Sequence, residues 1–106
     1  MRITITARHC DLPPELRARA RTLVERLARV APRPLDARVV FDADHGRPTV
    51  EVRLHAARGL LHVGTARGAD QGSALDLAAA KVRRQLDKSP VRRRAAIRRA
   101  AGRRSS

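Results

Sequence analysis

The chain has 106 residues and a formal net charge of +14 at pH 7, with 24 Lys and Arg against 10 Asp and Glu. This length allows one domain, whose core must be aliphatic because the chain has one Phe and neither Tyr nor Trp. The scarcity of aromatic rings argues against readers of single-stranded nucleic acid that stack bases, whereas the charge suits a nucleic acid or an anionic membrane.

Cysteine usage and hydropathy favour the cytoplasm. Cys10 is the only cysteine, so no disulfide can form within the chain. The N-terminus alternates in polarity and lacks the apolar segment of a signal peptide, and no apolar run approaches the ~18 residues of a membrane span. We therefore predict a cytoplasmic protein without a membrane partner.

Periodicity predicts six elements, because alternating polarity is typical of strands and 3.6-residue spacing of helices. They are a strand at 2–7, a helix at 13–30, strands at 35–43, 48–56 and 60–66, and a helix within 67–88. Each amphipathic element buries one side, which predicts an α+β fold in the order β-α-β-β-β-α. Two helices should pack on one face of a four-stranded sheet, and the folded domain should span residues 1–90.

The apolar faces define the predicted core. Its members are Leu16, Ala20, Leu23, Val24, Leu27, Ala31, Leu35, Ala37, Val39, Phe41, Ala43, Val50, Val52, Leu54, Ala56, Leu75, Ala78, Val82 and Leu86. The sequence does not determine which face of strand 60–66 points inward, because polar and apolar residues alternate less clearly there. Asp70 or Ser73 is expected to cap the second helix, and Ser73 with Asp76 has capping-box spacing.

A basic surface runs along the second helix into the C-terminal residues. Residues 81–106 hold 11 of the 24 basic residues and one acid, Asp87. Lys81, Arg84 and Lys88 are spaced at i, i+3 and i+7, so they share one helix face, with Arg83 to the side. A charged helix face is commonly just solvated, but this one repels itself unless a polyanion binds, which favours phosphate contacts.

Two further groups of arginines extend this charge. Arg17 belongs to a ring of arginines on the first helix, for which solvation and phosphate contact fit equally well. Residues 91–106 have no core-sized apolar stripe, so we predict an Arg-rich tail that is disordered in isolation. Arg92, Arg93 and Arg94 in this tail are candidate phosphate contacts.

No residue pattern predicts an enzyme, a metal site or a cofactor. His9 and Cys10 are adjacent, so they point to opposite sides of an extended chain and do not converge as a base and a nucleophile. His55 and His62 lie on neighbouring strands without a further ligand at metal spacing, and we predict that both are surface histidines. The glycines form no phosphate-binding loop.

Two stretches carry a family resemblance. The second helix contains Asp70, Ala74, Leu75, Asp76, Lys81, Arg84, Gln85, Leu86 and Lys88, and the start of the first contains Asp11, Leu12, Leu16 and Arg17. In order and spacing these residues resemble the ribosome hibernation promoting factors, also called ribosome-associated inhibitor A or ribosomal subunit interface protein. The likeness covers about residues 1–90, nearly the whole predicted domain.

The resemblance implies a non-enzymatic inhibitor of translation. Family members have a fold similar to double-stranded RNA-binding domains and sit in the cleft of the small ribosomal subunit, near mRNA and the A- and P-site tRNAs. They silence translation in stationary phase or starvation. The resemblance thus implies the small subunit and its rRNA as partners, no small-molecule substrate, and rRNA contacts by Lys81, Arg84 and Lys88, with Arg83 and Arg17 as additions.

This chain also departs from the family pattern. Family members often have an aromatic residue after the position of Asp70, where this sequence has Gln71 and Gly72. Long members have a further C-terminal domain that pairs two ribosomes, so we expect a short-type chain without a dimerisation domain. The tail is more basic than the resemblance leads us to expect.

Two other functions are alternatives to a ribosome-binding inhibitor. The charge pattern by itself equally predicts a general RNA- or DNA-binding module without ribosome specificity, and only the family resemblance favours the ribosome. A small enzyme would need a convergent acid, base or nucleophile, which the sequence does not indicate.

Overall fold

The computed structural model describes residues 1–88 and contains one four-stranded sheet with two helices packed on one face. In chain order the elements are β1 (Arg2–Ala7), α1 (Pro14–Val30), β2 (Pro34–Asp44), β3 (Arg47–Ala56), β4 (Leu60–Arg67) and α2 (Gln71–Lys88). Strand β1 pairs parallel with β2, and β2, β3 and β4 form an antiparallel meander, so β1 and β4 are the edge strands. The predicted fold class and element order are confirmed, and the predicted tail lies outside the described residues.

The core lies between the helices and the inner face of the two central strands. Phe41 on β2 is opposite Val50 on β3, and Val39 is opposite Val52, with all four side chains at most 1% exposed. Side chains of a strand alternate between its two faces, so the polarity pattern alone places these residues inward. The helices complete the core with Ala20, Val24, Leu27, Leu75, Ala78, Val82 and Leu86, as their spacing predicts.

Leu35 does not join this core. Its predicted inward position is wrong, since the side chain is 56% exposed. The β2–β3 register shifts here, because Pro34 is opposite Ala56 while Asp36 is opposite the next residue, His55. Two residues of β2 therefore oppose one of β3, and this β-bulge turns Leu35 away from the face that strict alternation assigns to it.

The inward face of β4 consists of His62, Gly64 and Ala66. The sequence alone does not determine which face of this strand points inward. Leu61, a residue that hydropathy would bury, is 43% exposed, while His62 is only 8% exposed. The prediction that His62 lies at the surface is therefore wrong. Its Nε2 atom is buried and finds no hydrogen-bond partner among residues 1–88.

Asp70 caps the start of α2. Its Oδ1 accepts a hydrogen bond of 2.7 Å from the backbone N–H of Ser73, and this bond is the main cause of a lowered pKa of Asp70. The predicted alternative, a capping box from Ser73 to Asp76, does not form, because Asp76 binds Arg19 of α1 instead. The Nη2 atom of Arg19 donates to both carboxylate oxygens of Asp76, at 2.7 and 2.5 Å, and so links the two helices.

Gly64 allows α2 to lie close against β4. A Cβ atom at this position would stand 2.2 Å from the backbone oxygen of Ala78 and 3.1 Å from a methyl group of Val82. The oxygen belongs to helix backbone, which cannot rotate away as a side chain does. Only glycine fits this approach without displacing the helix.

We predict that Gly64→Ala lowers the free energy of unfolding by about 1–3 kcal/mol, because the added methyl group overpacks the contact between α2 and β4. Urea unfolding followed by circular dichroism measures the loss. Gly72→Ala is the matched control, because its Cβ would meet no backbone atom but only side-chain ends, Arg19 Nη1 at 3.2 Å and the Asp70 carboxylate at 3.4 Å. Equal stabilities of the two variants would contradict the close contact.

We also predict that the protein becomes less stable as the pH decreases, because His62 is buried. Burial lowers the pKa of His62 from its usual value of 6.5, so between the two values the unfolded chain binds more protons than the folded one. This contribution to stability is therefore complete above about pH 6.5 and is lost as the pH falls toward the folded-state pKa. Melting temperatures between about pH 7.5 and 5.5 measure the loss.

His62→Leu removes the titrating group and should flatten this part of the pH profile. A profile that His62→Leu leaves as steep as before would show that other groups cause the loss.

Candidate nucleic-acid interface

Helix α2 presents a basic face beside its buried stripe. Lys81, Arg84 and Lys88 are all exposed, as expected for residues that alternate with buried Val82 and Leu86 along the helix. Of the predicted contacts on α2, these three are free of ion pairs with the carboxylates among residues 1–88. They form a charged row along the surface of the helix.

Arg83 differs from these three residues. Its Nε donates to the carboxylate of Asp87, one turn further on, at 3.2 Å. Both side chains are about half exposed, so this pair contributes little to stability, but it offsets the charge of Arg83. Arg83 is therefore the weakest of the predicted phosphate contacts on α2.

Gln85 attaches α2 to the free edge of β4. Its side-chain oxygen accepts a hydrogen bond of 3.0 Å from the backbone N–H of Val63, and its Nε2 donates to the Val63 carbonyl at 2.6 Å. The amide side chain thus pairs with Val63 as a neighbouring strand would. The sequence does not indicate this role of Gln85, because the edge that the side chain covers exists only after the sheet has formed.

Lys81 reaches the same edge. Its Nζ donates to the carbonyl of Thr65 at 2.6 Å. An ammonium group has three N–H donors, so two remain for an anion while the third holds the side chain in place. This contact reduces the side-chain freedom that Lys81 would otherwise lose on binding.

Arg17 lies at the opposite edge of the sheet from Lys81, on the same face. Its Nη1 donates to the carbonyl of Ile5 on the β1 edge at 3.1 Å. The four strands separate this edge from the Lys81 edge by three interstrand spacings, roughly 14 Å. The structure therefore does not bring Arg17 and Lys81 into one cluster, and Arg17 would contact a different part of a bound polyanion.

Comparison with known protein families identifies the family of this chain. The family model described as Sigma 54 modulation protein / S30EA ribosomal protein matches residues 3–94. The chain belongs to this family. Its members are ribosome-associated proteins, and the match includes Arg92, Arg93 and Arg94, which lie outside the described residues. No curated protein matches the chain.

Solved structures of this family share the fold. A ribosomal subunit interface protein from Coxiella burnetii is 23% identical, with a TM-score of 0.71 over 83% of this chain and 96% of that one. The N-terminal domain of Thermus thermophilus Protein Y is 24% identical, with a TM-score of 0.72 over 83% and 98%. At these identities the likeness establishes the β-α-β-β-β-α architecture.

The histidines and the cysteine do not converge. His9 Nδ1 lies 3.0 Å from the carboxylate of Asp42, whose pKa is lowered mainly by this hydrogen bond, while Cys10 packs against the core. His55 and His62 point to opposite faces of the sheet, because Leu54 is the residue opposite His62. Within residues 1–88, no three His, Cys, Asp or Glu side chains lie together as a metal site requires.

Neither helix of the described part is long and apolar enough to cross a membrane.

We predict that Gln85→Ala exposes the backbone of Val63. The variant loses both hydrogen bonds, so amide hydrogen exchange at Val63 should accelerate and the free energy of unfolding should fall by about 1–2 kcal/mol. Gln85→Glu is the matched comparison, because its carboxylate still accepts from the Val63 N–H but cannot donate to the carbonyl. Exchange at Val63 should stay slow in Gln85→Glu, and equally slow exchange in Gln85→Ala would contradict the pairing.

Proposed function

We propose that this protein is a ribosome-binding inhibitor of translation that occupies the cleft of the small subunit where mRNA and tRNA bind. In this role it contacts rRNA and stabilises idle ribosomes under stress or in stationary phase. The observation that carries the proposal is the row of Lys81, Arg84 and Lys88 on α2, exposed and fixed to the β4 edge, in a chain of a ribosome-associated family.

The mechanism is occupancy rather than catalysis. A folded domain in the cleft excludes mRNA and tRNA by volume, and basic side chains supply affinity by displacing counterions from rRNA phosphates. With a net charge of +14 the chain repels itself, and a polyanion removes this repulsion on binding. No small-molecule substrate or cofactor enters this mechanism, and the ribosome places the protein in the cytoplasm.

Further contacts are proposed from Arg17 and Arg83, and from Arg92, Arg93 and Arg94 in the segment 91–106. Arg17 would reach rRNA beside the β1 edge, about one sheet width from Lys81. Residues 1–90 would form the ribosome-binding domain, and the Arg-rich segment 91–106 would add phosphate contacts to it.

A general RNA- or DNA-binding module is the second candidate, which the high net charge favours. The two functions differ in specificity. A module that recognises only phosphates binds random duplex RNA as well as it binds ribosomes, whereas a protein shaped for the cleft requires the assembled subunit.

Co-sedimentation with intact ribosomes at two salt concentrations, with excess duplex RNA as competitor, separates these candidates. We expect stoichiometric binding that survives the competitor and is prevented when tRNA fills the cleft. Binding that duplex RNA removes would leave the general module, and the ribosomal function would then be rejected.

We predict that replacing Lys81, Arg84 and Lys88 together with Gln weakens ribosome binding and leaves the fold intact, because all three are exposed. Loss of three phosphate contacts should reduce the slope of log affinity against log salt concentration by about 2 to 3. The control replaces Arg33, Arg47 and Arg58 with Gln, which removes the same charge from loops and a strand end. If both variants lose affinity equally, net charge rather than the α2 face determines binding.

A further inference from the structure

The outer face of the sheet, opposite the helices, is uncovered among residues 1–88. The strand register arranges its side chains in rows across the four strands. The middle row consists of Thr4, Arg38, Arg53 and Val63. Arg38 and Arg53 are therefore directly opposite each other at the centre of the sheet.

This arginine pair does not stabilise the fold. Like charges directly opposite each other on neighbouring strands are destabilising, because their Cβ atoms lie about 5 Å apart. Arg53 is linked to Glu51 through Nε at 2.9 Å, but Arg38 forms no ion pair within the described part of the chain. Both arginines are exposed, so their guanidinium groups are open to a ligand.

A groove of about 350 Å³ lies over this pair. Arg8 is a third arginine in its lining, and the side chains of Thr49 and Thr65 add hydroxyl groups. Its two acids already have partners, because Asp42 is bonded to His9 and to the Ala43 N–H, and Glu51 is bonded to Arg53. The groove therefore holds three arginines against two carboxylates, and of the three only Arg53 forms an ion pair within residues 1–88.

The groove continues the basic surface of α2 around the β4 edge. Thr65 joins the two, because its carbonyl accepts the hydrogen bond from Lys81 and its side chain lines the groove. A polyanion that contacts α2 can therefore follow the basic side chains past this edge onto the outer face. This continuity favours a nucleic-acid backbone over an acidic protein segment, which would need no contact with α2.

We propose that the outer-face groove binds a backbone phosphate of RNA, with Arg38 and Arg53 as its ligands and Arg8 beside them. A planar guanidinium donates two parallel hydrogen bonds to phosphate oxygens. The Nε of Arg53 is held by Glu51, which leaves the Nη groups to point at the ligand. The proposal rests on the proposed ribosome binding and adds a second contact surface, on the opposite side of the domain from the helices.

The test compares Arg38→Gln and the double variant Arg38→Gln/Arg53→Gln with the control Arg33→Gln/Arg58→Gln, all in the full chain. Binding to intact ribosomes is measured as a function of salt concentration. The single variant should reduce the slope of log affinity against log salt by about 0.7–0.9 and the double by about twice as much, while the control keeps the wild-type slope.

Thermal unfolding distinguishes a binding role from a structural one. Arg38→Gln removes like-charge repulsion, so its melting temperature should equal or exceed that of the wild type while its ribosome affinity falls. A lower melting temperature with unchanged affinity would show that Arg38 supports the fold, and the proposal would be rejected.

The remaining outcomes separate this proposal from the proposed function. The groove proposal alone fails if the wild-type protein binds ribosomes and the α2 variant weakens this binding, but the Arg38 and Arg53 variants do not. If the wild type does not bind ribosomes, the proposed function itself fails. Polyglutamate of matched charge is the second probe: if Arg38→Gln weakens its binding but not that of ribosomes, the groove binds an acidic protein instead of RNA.

Discussion

The contact between α2 and β4 is the interaction on which the rest of the structure depends. The helix can approach the strand because Gly64 has no side chain that would collide with the Ala78 carbonyl. The same approach brings Gln85 within reach of both backbone groups of Val63. Together these contacts determine where the basic face of α2 lies relative to the sheet, and therefore where the proposed polyanion would meet the protein.

Polar side chains from both helices also cover backbone groups at the two sheet edges. An uncovered edge strand offers unpaired N–H and C=O groups to other chains, and proteins usually protect such edges with charge or with another element. Here Arg17 binds a carbonyl of β1, while Gln85 and Lys81 bind backbone groups of β4. Lys81 and Arg17 thus combine a structural contact with a charge that stays available to phosphate.

The distribution of charge supports the proposal that this domain binds a polyanion. The core is entirely aliphatic apart from Phe41 and His62, and it stabilises the fold without using the arginines. The basic residues lie on the surface, where some of them repel each other, as Arg38 and Arg53 do across neighbouring strands. Binding to rRNA would relieve this repulsion on both faces, which gives the complex a strong dependence on salt.

The sequence by itself determined the elements, the fold class and most of the core. Periods of 2 and 3.6 residues place Val39, Phe41, Val82 and Leu86 inward, because local geometry alone decides which side of an element a residue occupies. The exposure of Lys81, Arg84 and Lys88 follows from the same rule. Family resemblance added the ribosome, which neither periodicity nor charge indicates.

Only the tertiary structure decided the features that depend on register and on helix placement. A bulge exposes Leu35, and the inward face of β4 buries His62, because pairing between strands is not encoded in local polarity. The opposition of Arg38 and Arg53 arises from residues 15 positions apart, and the pairing of Gln85 with Val63 requires a completed edge. Such contacts form only once distant segments have packed, so no pattern within one element could reveal them.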